Sequence, residues 1–324
     1  MPEPAPTLLL MAAGMGSRYG GLKQVAPMGP SGESLVDYAV YDAKRAGFGR
    51  VVFVIRRDIE TDFRETVLAR LRAGGVEVEY VFQDLADLPA GAADVDVSHR
   101  SKPWGTAHAV WSARDAVREP FVVLNADDYY GPSAYRLLAE HLARGTGEYA
   151  ILGYRLGPTL SEHGTVARGI LEQDGEGRLL RIRERTQIAR GDDGVIRDAD
   201  PGARPDRPEP VGGKFAERSK AATLPEDSDV SMNIMAFAPR VFGQLEGALV
   251  RFLRKHAGRA KSELYLPNVV GELVARGEAT VRVPKTDDEW FGVTYAADAE
   301  RVRSRLRALT AEGVYPEALW LRRG

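Results

Sequence analysis

A glycine-rich segment with two cations follows the first apolar run of the sequence. Residues 8–13 lead into Gly14 and Gly16, and Arg18 and Lys23 follow closely. Glycines let the backbone approach a phosphate, and exposed N–H groups with two cations can hold a polyphosphate. The spacing matches neither the dinucleotide fingerprint nor a P-loop. An ordinary turn is the alternative, but Lys is scarce, eight of 44 basic residues, and its presence here favours a phosphate loop.

Two adjacent carboxylates follow the apolar run at residues 121–124. Asp127 and Asp128 stand where the predicted strand ends. Neighbouring carboxylates repel each other, and a bound divalent cation with oxygen ligands offsets that repulsion. The pattern predicts a metal site, with an Asp-rich turn as the alternative.

A third segment, KPWGTAHA at residues 102–109, opens a predicted helix. Gly105 and Thr106 stand at its first turn, where backbone N–H groups lack partners within the helix. These groups and the Thr106 hydroxyl are free to bind a ligand, whereas the simpler interpretation is that Thr106 only caps the helix. His108 is more typical of helix packing than of a catalytic base.

The elements that must position these residues alternate between strands and helices in the first half. Strands are predicted at 8–12, 51–56, 76–83 and 121–125, with helical apolar spacing between them. This alternation predicts an α/β fold with a Rossmann-like, mixed and mostly parallel central sheet and helices on both faces. Ligands of such sheets bind in a crevice at the carboxyl ends of the strands.

The second half predicts a smaller β-rich part of the same single domain. Four strands and a DGEG turn between the middle two are expected at 149–154, 167–172, 178–185 and 230–237. Residues 188–229 are rich in Pro, Gly and Asp without apolar periodicity. We expect them to form a lid, a surface extension or a partly disordered segment. Helices dominate after Pro239.

Composition excludes several classes of function. The 324 residues carry a formal net charge of −2, are 44% hydrophobic and include no Cys. Without Cys there is no disulfide, thiolate zinc site, iron–sulfur cluster or Cys nucleophile, and a cytoplasmic location fits. Near-neutral charge without a basic block argues against a nucleic-acid binder. The first apolar run is too short to span a membrane and lacks the basic flank of a signal peptide.

In these motifs the chain resembles the sugar-1-phosphate nucleotidyltransferases, which share a GT-A-like α/β fold. Their opening motif is a strand, A-A-G-x-G-[ST]-R and a later Lys, matched here by Ala12, Ala13, Gly14, Gly16, Ser17, Arg18 and Lys23. The short R-Y-G-G-L-K spacing is closer to the cytidylyl- and molybdopterin-guanylyltransferase branches of the superfamily. The family's G-T-[AG]-x-A motif matches Gly105 and Thr106, and the resemblance implies that they and Gln83 bind the base and ribose.

The resemblance also implies metal and acceptor residues. The family's strand-ending Asp binds Mg²⁺, which gives Asp127 that role and makes Asp128 a supporting or turn residue. Thr294 stands where a second Asp or Asn ligand is expected. Either Asp287 or Asp288 substitutes for it, or one protein ligand suffices with phosphates and waters. The sugar would contact Gly164, Glu184 and Asn233, and its phosphate would contact Arg185.

The implied activity is transfer of a nucleotidyl group from a nucleoside triphosphate to a sugar 1-phosphate, with release of pyrophosphate. Lys23 would bind the α-phosphate, Arg18 the β- and γ-phosphates, and Mg²⁺ on Asp127 would bridge them. The chain then divides into a nucleotide-binding half, a sugar-binding half and a helical end, at 1–148, 149–294 and 295–324.

Two alternatives stay open on the sequence. One is transfer to a non-sugar phosphate or a molybdopterin, which the short spacing from Arg18 to Lys23 permits. The other is a non-catalytic nucleotide-binding regulator on the same fold, which Thr294 keeps open. A homo-oligomer is compatible with each of them.

Overall fold

The computed structural model describes residues 4–13, 26–100, 102–161, 164–198, 222–256, 258–292 and 298–320. The strands in these residues are β1 (Thr7–Met11), β2 (Arg50–Ile55), β3 (Val78–Phe82), β4 (Phe121–Asn125), β5 (Asp128–Tyr129), β6 (Tyr149–Arg155), β7 (Val166–Gln173), β8 (Leu179–Arg190), β9 (Ile196–Asp198), β10 (Ala222–Thr223), β11 (Asp229–Phe237), β12 (Val281–Arg282) and β13 (Phe291–Gly292). The α-helices are α1 (Leu35–Arg45), α2 (Glu60–Phe63), α3 (Ala69–Ala73), α4 (Thr106–Trp111), α5 (Pro132–Leu142), α6 (Val241–His256), α7 (Leu266–Ala275) and α8 (Asp298–Ala311). A π-helical turn, Arg64–Leu68, joins α2 to α3.

One large sheet carries both halves of the chain. Strands β3, β2, β1 and β4 lie side by side and parallel, and β6 pairs in parallel with β12. Strand β11 lies antiparallel to β4, β6 and β7, and the antiparallel ladder continues through β8, β9 and β10. The predicted mixed α/β sheet is confirmed, and its β-rich part joins the parallel part through β11.

Helices cover both faces of this sheet. On β1, Leu8 and Leu10 face the helices α1 and α5, whereas Leu9 and Met11 face α4, α6 and α7. A strand buried on both faces needs a continuous apolar run, which is what the sequence has there. Among the described residues, no helix is both long and apolar enough to cross a membrane.

Two of the predicted segments differ from the structure. Residues 188–229 were expected to form a lid, a surface extension or a partly disordered segment, and strands were not predicted there; β8 extends to Arg190, β9 and β10 lie within this stretch, and residues 199–221 lie outside the described residues. Strands β9 and β10 are very short, so they leave little apolar periodicity in the sequence. The helical spacing of Ala109, Ala113 and Val117 predicts a helix through Val117, but α4 ends at Trp111, and the turns that follow keep Ala113 and Val117 buried.

Strand β11 changes its neighbour part-way along its length. Its residues 235–237 pair with β4, whereas Val230 and Ser231 pair with β7. Between the two ladders stands Asn233, whose φ is 62°. This left-handed residue interrupts the strand, and Asn tolerates it better than most residues. As a result, the end of β4 and the start of β7 meet beside Asn233.

The buried phenol of Tyr130 fills the gap that this change leaves in the hydrogen-bond ladder. Its oxygen accepts from Asn125 N–H at 3.2 Å and donates to Met232 O at 3.0 Å. Full burial raises the pKa of Tyr130 well above its usual value, which keeps the donor hydrogen in place. One side chain therefore satisfies a backbone group of β4 and one of β11.

Replacing Tyr130 with Phe should lower the free energy of unfolding by roughly 2–4 kcal/mol, because two buried backbone groups lose their partner. Urea unfolding of the full chain measures this. Tyr80→Phe is the control, since that phenol lies near the surface and donates to Glu60 at 2.7 Å. Equal stability losses in the two variants would contradict the role given to Tyr130.

Candidate functional site

The carboxyl ends of β1 and β4 bring two distant candidate segments together. Ala126 N–H donates to the carbonyl of Met11 at 3.1 Å, so the two strands stay paired to their last residues. Ala12 and Ala13 are buried at this edge, and Asp127 follows Ala126 immediately. The chain therefore leaves the sheet beside Asp127 as it enters the glycine-rich segment.

The glycine-rich segment itself, residues 14–25, lies outside the described residues. Gly14, Gly16, Arg18 and Lys23 belong to it, so their predicted contacts with phosphates stay predictions. Thr294 likewise lies outside the described part of the chain.

Gln83 is fixed beside Gly105 at the end of β3. Its Nε2 donates to Gly105 O at 3.0 Å and lies 3.3 Å from Nδ1 of His108. His108 is buried, its Nε2 donates to Asp87 O at 2.8 Å, and burial lowers its pKa. A neutral His108 then accepts from Gln83, which confirms the packing role predicted for it. With both Nε2 hydrogens committed, Oε1 is the part of the Gln83 amide left for a ligand.

Gly105 and Thr106 are fastened to the start of α7. Gly105 has a φ of +101°, and a Cβ placed there would lie 2.5 Å from the carbonyl oxygen of Leu264. Thr106 is the first residue of α4, and its Oγ1 accepts from Leu266 N–H at 2.8 Å. Thr106 therefore does not cap its own helix, and its hydroxyl has its hydrogen and one lone pair left for a ligand.

The two carboxylates after β4 have different surroundings. Asp127 is half-buried in the turn, whereas Asp128 starts β5 and pairs with Gly292 of β13. The Asp128 carboxylate accepts from Asn125 Nδ2 at 2.9 Å, and Tyr130 Oη lies 3.3 Å from it. These bonds give Asp128 a part in holding the turn that presents Asp127.

The donor set around Asp127 suits a cation that arrives with phosphates. Among the described residues, no three His, Asp or Glu side chains converge to form a metal site of their own. Mg²⁺ is commonly held by one or two carboxylates, with substrate phosphates and waters completing its octahedron. Asp127 fits that role as a single protein ligand.

The two candidates for a second metal ligand have other partners. Asp288 Oδ2 accepts from Ser133 N–H at 2.6 Å and so caps the first turn of α5. Asp287 is exposed and pairs with Arg155 at 3.2 Å. The structure therefore gives no support to the substitution of Asp287 or Asp288 for Thr294.

The acceptor-side candidate Glu184 faces α7 from β8. Its cross-strand partner is Gly169, where a Cβ would lie 3.4 Å from Glu184 Oε2. Burial raises the pKa of Glu184, and Arg168 lowers it. The charge of Glu184 also contributes to raising the pKa of Tyr265, which is 46% exposed at the start of α7. Glu184 therefore lies where β7 and β8 meet the start of α7, the helix that follows Leu264.

The other acceptor-side candidates are spread along β7, β8 and β11. Gly164 is exposed just before β7, and Asn233 is half-buried at the change of ladder. Arg185, predicted to bind the sugar phosphate, pairs with the buried carboxylate of Asp198 at 3.2 Å. Part of its charge is therefore already balanced within the protein.

A comparison with known protein families matches residues 8–193 to the family described as nucleotidyl transferase. The match spans the strand edge, Gln83, Gly105 and Asp127. The chain belongs to the nucleotidyl transferase family. No curated protein sequence matched it.

Two solved structures share the fold of this nucleotidyl transferase. One is described as a glucose-1-phosphate thymidylyltransferase from Bacillus anthracis, with 15% identity and a TM-score of 0.60. That match covers 94% of this chain and 95% of the other. The second is an inositol-1-phosphate CTP transferase from T. maritima, with 15% identity, a TM-score of 0.58 and coverage of 95% and 98%.

One residue of this nucleotidyl transferase that the sequence did not single out is Arg168. It precedes Gly169, the ladder partner of Ser231, by one residue on β7, which puts it beside the end of β4. Its guanidinium lies 5.0 Å from the Trp290 ring centre, and burial lowers its pKa to about 10. A lone Arg in a segment of small residues, HGTVARG, was the available indication.

Two substitutions at Asn233 separate its backbone role from its predicted contact with the acceptor. Asn233→Gly keeps the left-handed backbone, so its free energy of unfolding should stay within about 1 kcal/mol of wild type. Asn233→Ala should lose about 1–2 kcal/mol. Both variants lack the amide, so both should raise the KM for the acceptor equally. A wild-type acceptor KM in Asn233→Gly would contradict the predicted contact.

Proposed function

We propose that the protein transfers a nucleotidyl group from a nucleoside triphosphate to a sugar 1-phosphate and releases pyrophosphate. The observation that carries this is the bond from Ala126 N–H to Met11 O at 3.1 Å. It keeps Ala12 and Ala13, which precede the glycine-rich segment, at the same strand edge as Asp127. A carboxylate next to a glycine-rich, cationic segment is an arrangement that suits a metal-bound triphosphate.

The reaction would need positioning and charge neutralisation more than covalent help from the protein. An oxygen of the acceptor phosphate attacks the α-phosphorus, and pyrophosphate leaves from the opposite side. Lys23 would neutralise the α-phosphate and Arg18 the leaving pyrophosphate, while Gln83 and Gly105 hold the base. Mg²⁺ bound through Asp127 would supply further charge neutralisation at the phosphates.

The acceptor would lie on the other side of Asp127, along β7, β8 and β11. Glu184 is a carboxylate that can accept from sugar hydroxyls, and Asn233 offers an amide at the same end of the strands. The fold neighbour from T. maritima is named for inositol 1-phosphate. A polyol phosphate is therefore the second acceptor class that we would test.

Pyrophosphate release from a panel of donors and acceptors tests the proposal. The donors are ATP, GTP, CTP, UTP and dTTP, and the acceptors are hexose 1-phosphates and inositol 1-phosphate, each with Mg²⁺. We expect one donor to release pyrophosphate with at least one sugar 1-phosphate. Release with inositol 1-phosphate alone would replace the sugar by a polyol. Nucleotide binding without release under any pairing would favour a regulator.

A further inference from the structure

The guanidinium of Arg168 is a largely buried cation without a carboxylate partner. Among the described residues, no Asp or Glu oxygen forms an ion pair with it within 4.0 Å. Its hydrogen bonds go to neutral oxygens, which are the carbonyl and hydroxyl of Thr159 and the carbonyl of Ala167 at 2.7 Å. These bonds fix the direction of the planar fork but leave its charge unbalanced.

A buried charge of this kind is costly unless something of opposite sign approaches it. Removing a guanidinium from water is unfavourable, and hydrogen bonds to neutral oxygens recover only part of the lost hydration. The two carboxylates that act on Arg168 electrostatically are Asp128 and Glu184. Asp128 is already hydrogen-bonded to Asn125. Among the described residues, therefore, none supplies the anion that would balance the charge of Arg168.

The neighbouring arginine on the same ladder shows the contrast. Arg168 and Arg185 are direct cross-strand partners between β7 and β8. Arg185 has the carboxylate of Asp198, whose side chain is fully buried, at 3.2 Å. Two cations side by side repel each other, and the chain balances only Arg185 with an ion pair in the described residues. The position open to an external anion is therefore Arg168.

The place of Arg168 in the sheet indicates which anion it would meet. It lies beside the end of β4, where Asp127 and Asp128 follow, and on the opposite side of that end from Gln83 and Gly105. A ligand that reaches Arg168 comes from the acceptor side. Three of the five N–H groups of Arg168 are bonded to Thr159 and Ala167, which leaves one on Nη1 and one on Nη2 for the oxygens of a phosphate monoester.

We propose that Arg168, rather than Arg185, binds the phosphate of the acceptor. This assignment rests on the proposed nucleotidyl transfer, because that reaction is what makes the bound phosphate part of an acceptor. The Trp290 ring and the carbonyl of Thr159 hold the guanidinium in an orientation that faces the acceptor phosphate. In the free protein the cation is held in place at a cost, and the bound phosphate removes that cost.

Binding of glucose 1-phosphate, and of inorganic phosphate as the minimal probe, tests the proposal without any need for turnover. Full-length Arg168→Gln, Arg168→Lys, Arg185→Gln and Arg183→Gln are compared with wild type by thermal shift and calorimetry. Arg183 is the matched control, because it lies on the neighbouring strand β8 but is exposed and ion-paired to Glu172. Arg168→Lys keeps the charge and guards against a simple folding defect.

We expect Arg168→Gln to raise the dissociation constant roughly 10- to 100-fold, as for a lost hydrogen bond to a charged group. Arg168→Lys should fall between Gln and wild type, since it keeps charge but loses the fork. Arg183→Gln should bind as wild type. Wild-type affinity in Arg168→Gln, or loss of binding in Arg185→Gln with Arg168→Gln unaffected, would overturn the assignment.

Steady-state kinetics separates this inference from the proposed reaction. In Arg168→Gln the KM for the acceptor should rise while the KM for the nucleoside triphosphate stays at its wild-type value. Unchanged acceptor KM in an active enzyme overturns the role of Arg168 and leaves the transfer reaction standing. No pyrophosphate release from wild type, with phosphate binding lost only in Arg168→Gln, overturns the transfer reaction and keeps the anion site.

Discussion

Replacing Asp127 with Asn should lower turnover about 10²–10³-fold, the usual loss when one charged group is removed from a phosphate or oxyanion site. The amide keeps the size of the side chain but loses the charge that would hold Mg²⁺ and the triphosphate. Asp127 is half-buried in a turn that Asp128 and Tyr130 hold in place. We therefore expect a melting temperature close to that of wild type.

The matched control for this variant is Asp94→Asn. Asp94 is exposed and pairs with Arg254 at 2.7 Å. Surface ion pairs contribute at most about 1 kcal/mol, so this variant should keep its turnover and nearly all of its stability. Asp127→Asn with more than a third of wild-type turnover would show that Asp127 does not bind the catalytic cation.

Replacing Gly105 with Ala should disable the nucleotide side of the site and also destabilise the fold. The new Cβ would lie 2.5 Å from O, 2.7 Å from N and 2.9 Å from C of Leu264. These are backbone atoms, so a change of side-chain rotamer cannot relieve the clash. The backbone of Gly105, with φ +101° and ψ −177°, lies in a region that is essentially reserved for glycine, which adds about 1–3 kcal/mol, and overpacking adds about 1–3 kcal/mol.

Gly277→Ala is the control for Gly105→Ala. Gly277 also has a positive φ, +69°, but a Cβ there meets no atom within 4 Å. The control therefore carries the strain without the clash, and its stability loss should be about 1–2 kcal/mol. Nucleotide affinity, measured by calorimetry, should fall only in Gly105→Ala. Equal affinities in both variants would contradict the placement of the nucleotide beside Gly105.

The parts of the site that follow directly from a strand could be predicted from the sequence. Buried apolar runs identified β1 and β4, and their parallel pairing then fixed Asp127 beside the start of the glycine-rich segment. The same logic placed Gln83 at the end of β3. Local patterns suffice here because each candidate residue stands next to the strand that positions it.

The acceptor side depends on contacts that no local pattern records. The ion pair between Arg185 and Asp198 needs the pairing of β8 with a three-residue strand that the sequence did not predict. The position of Arg168 depends on where β11 stops pairing with β7 and starts pairing with β4. The alternative interpretation that Thr106 only caps its own helix is wrong, since its Oγ1 accepts from Leu266 N–H, 160 residues away.

Under the proposed function, strand β11 would also affect how two anionic substrates are brought together. Its last residues pair with β4 and its first residues pair with β7, so one continuous backbone connects the donor side to the acceptor side. Because this backbone is continuous, the fold itself holds the two binding regions at a fixed spacing. The reactants would then lose their relative freedom when they bind, and the reaction would proceed at a high effective concentration.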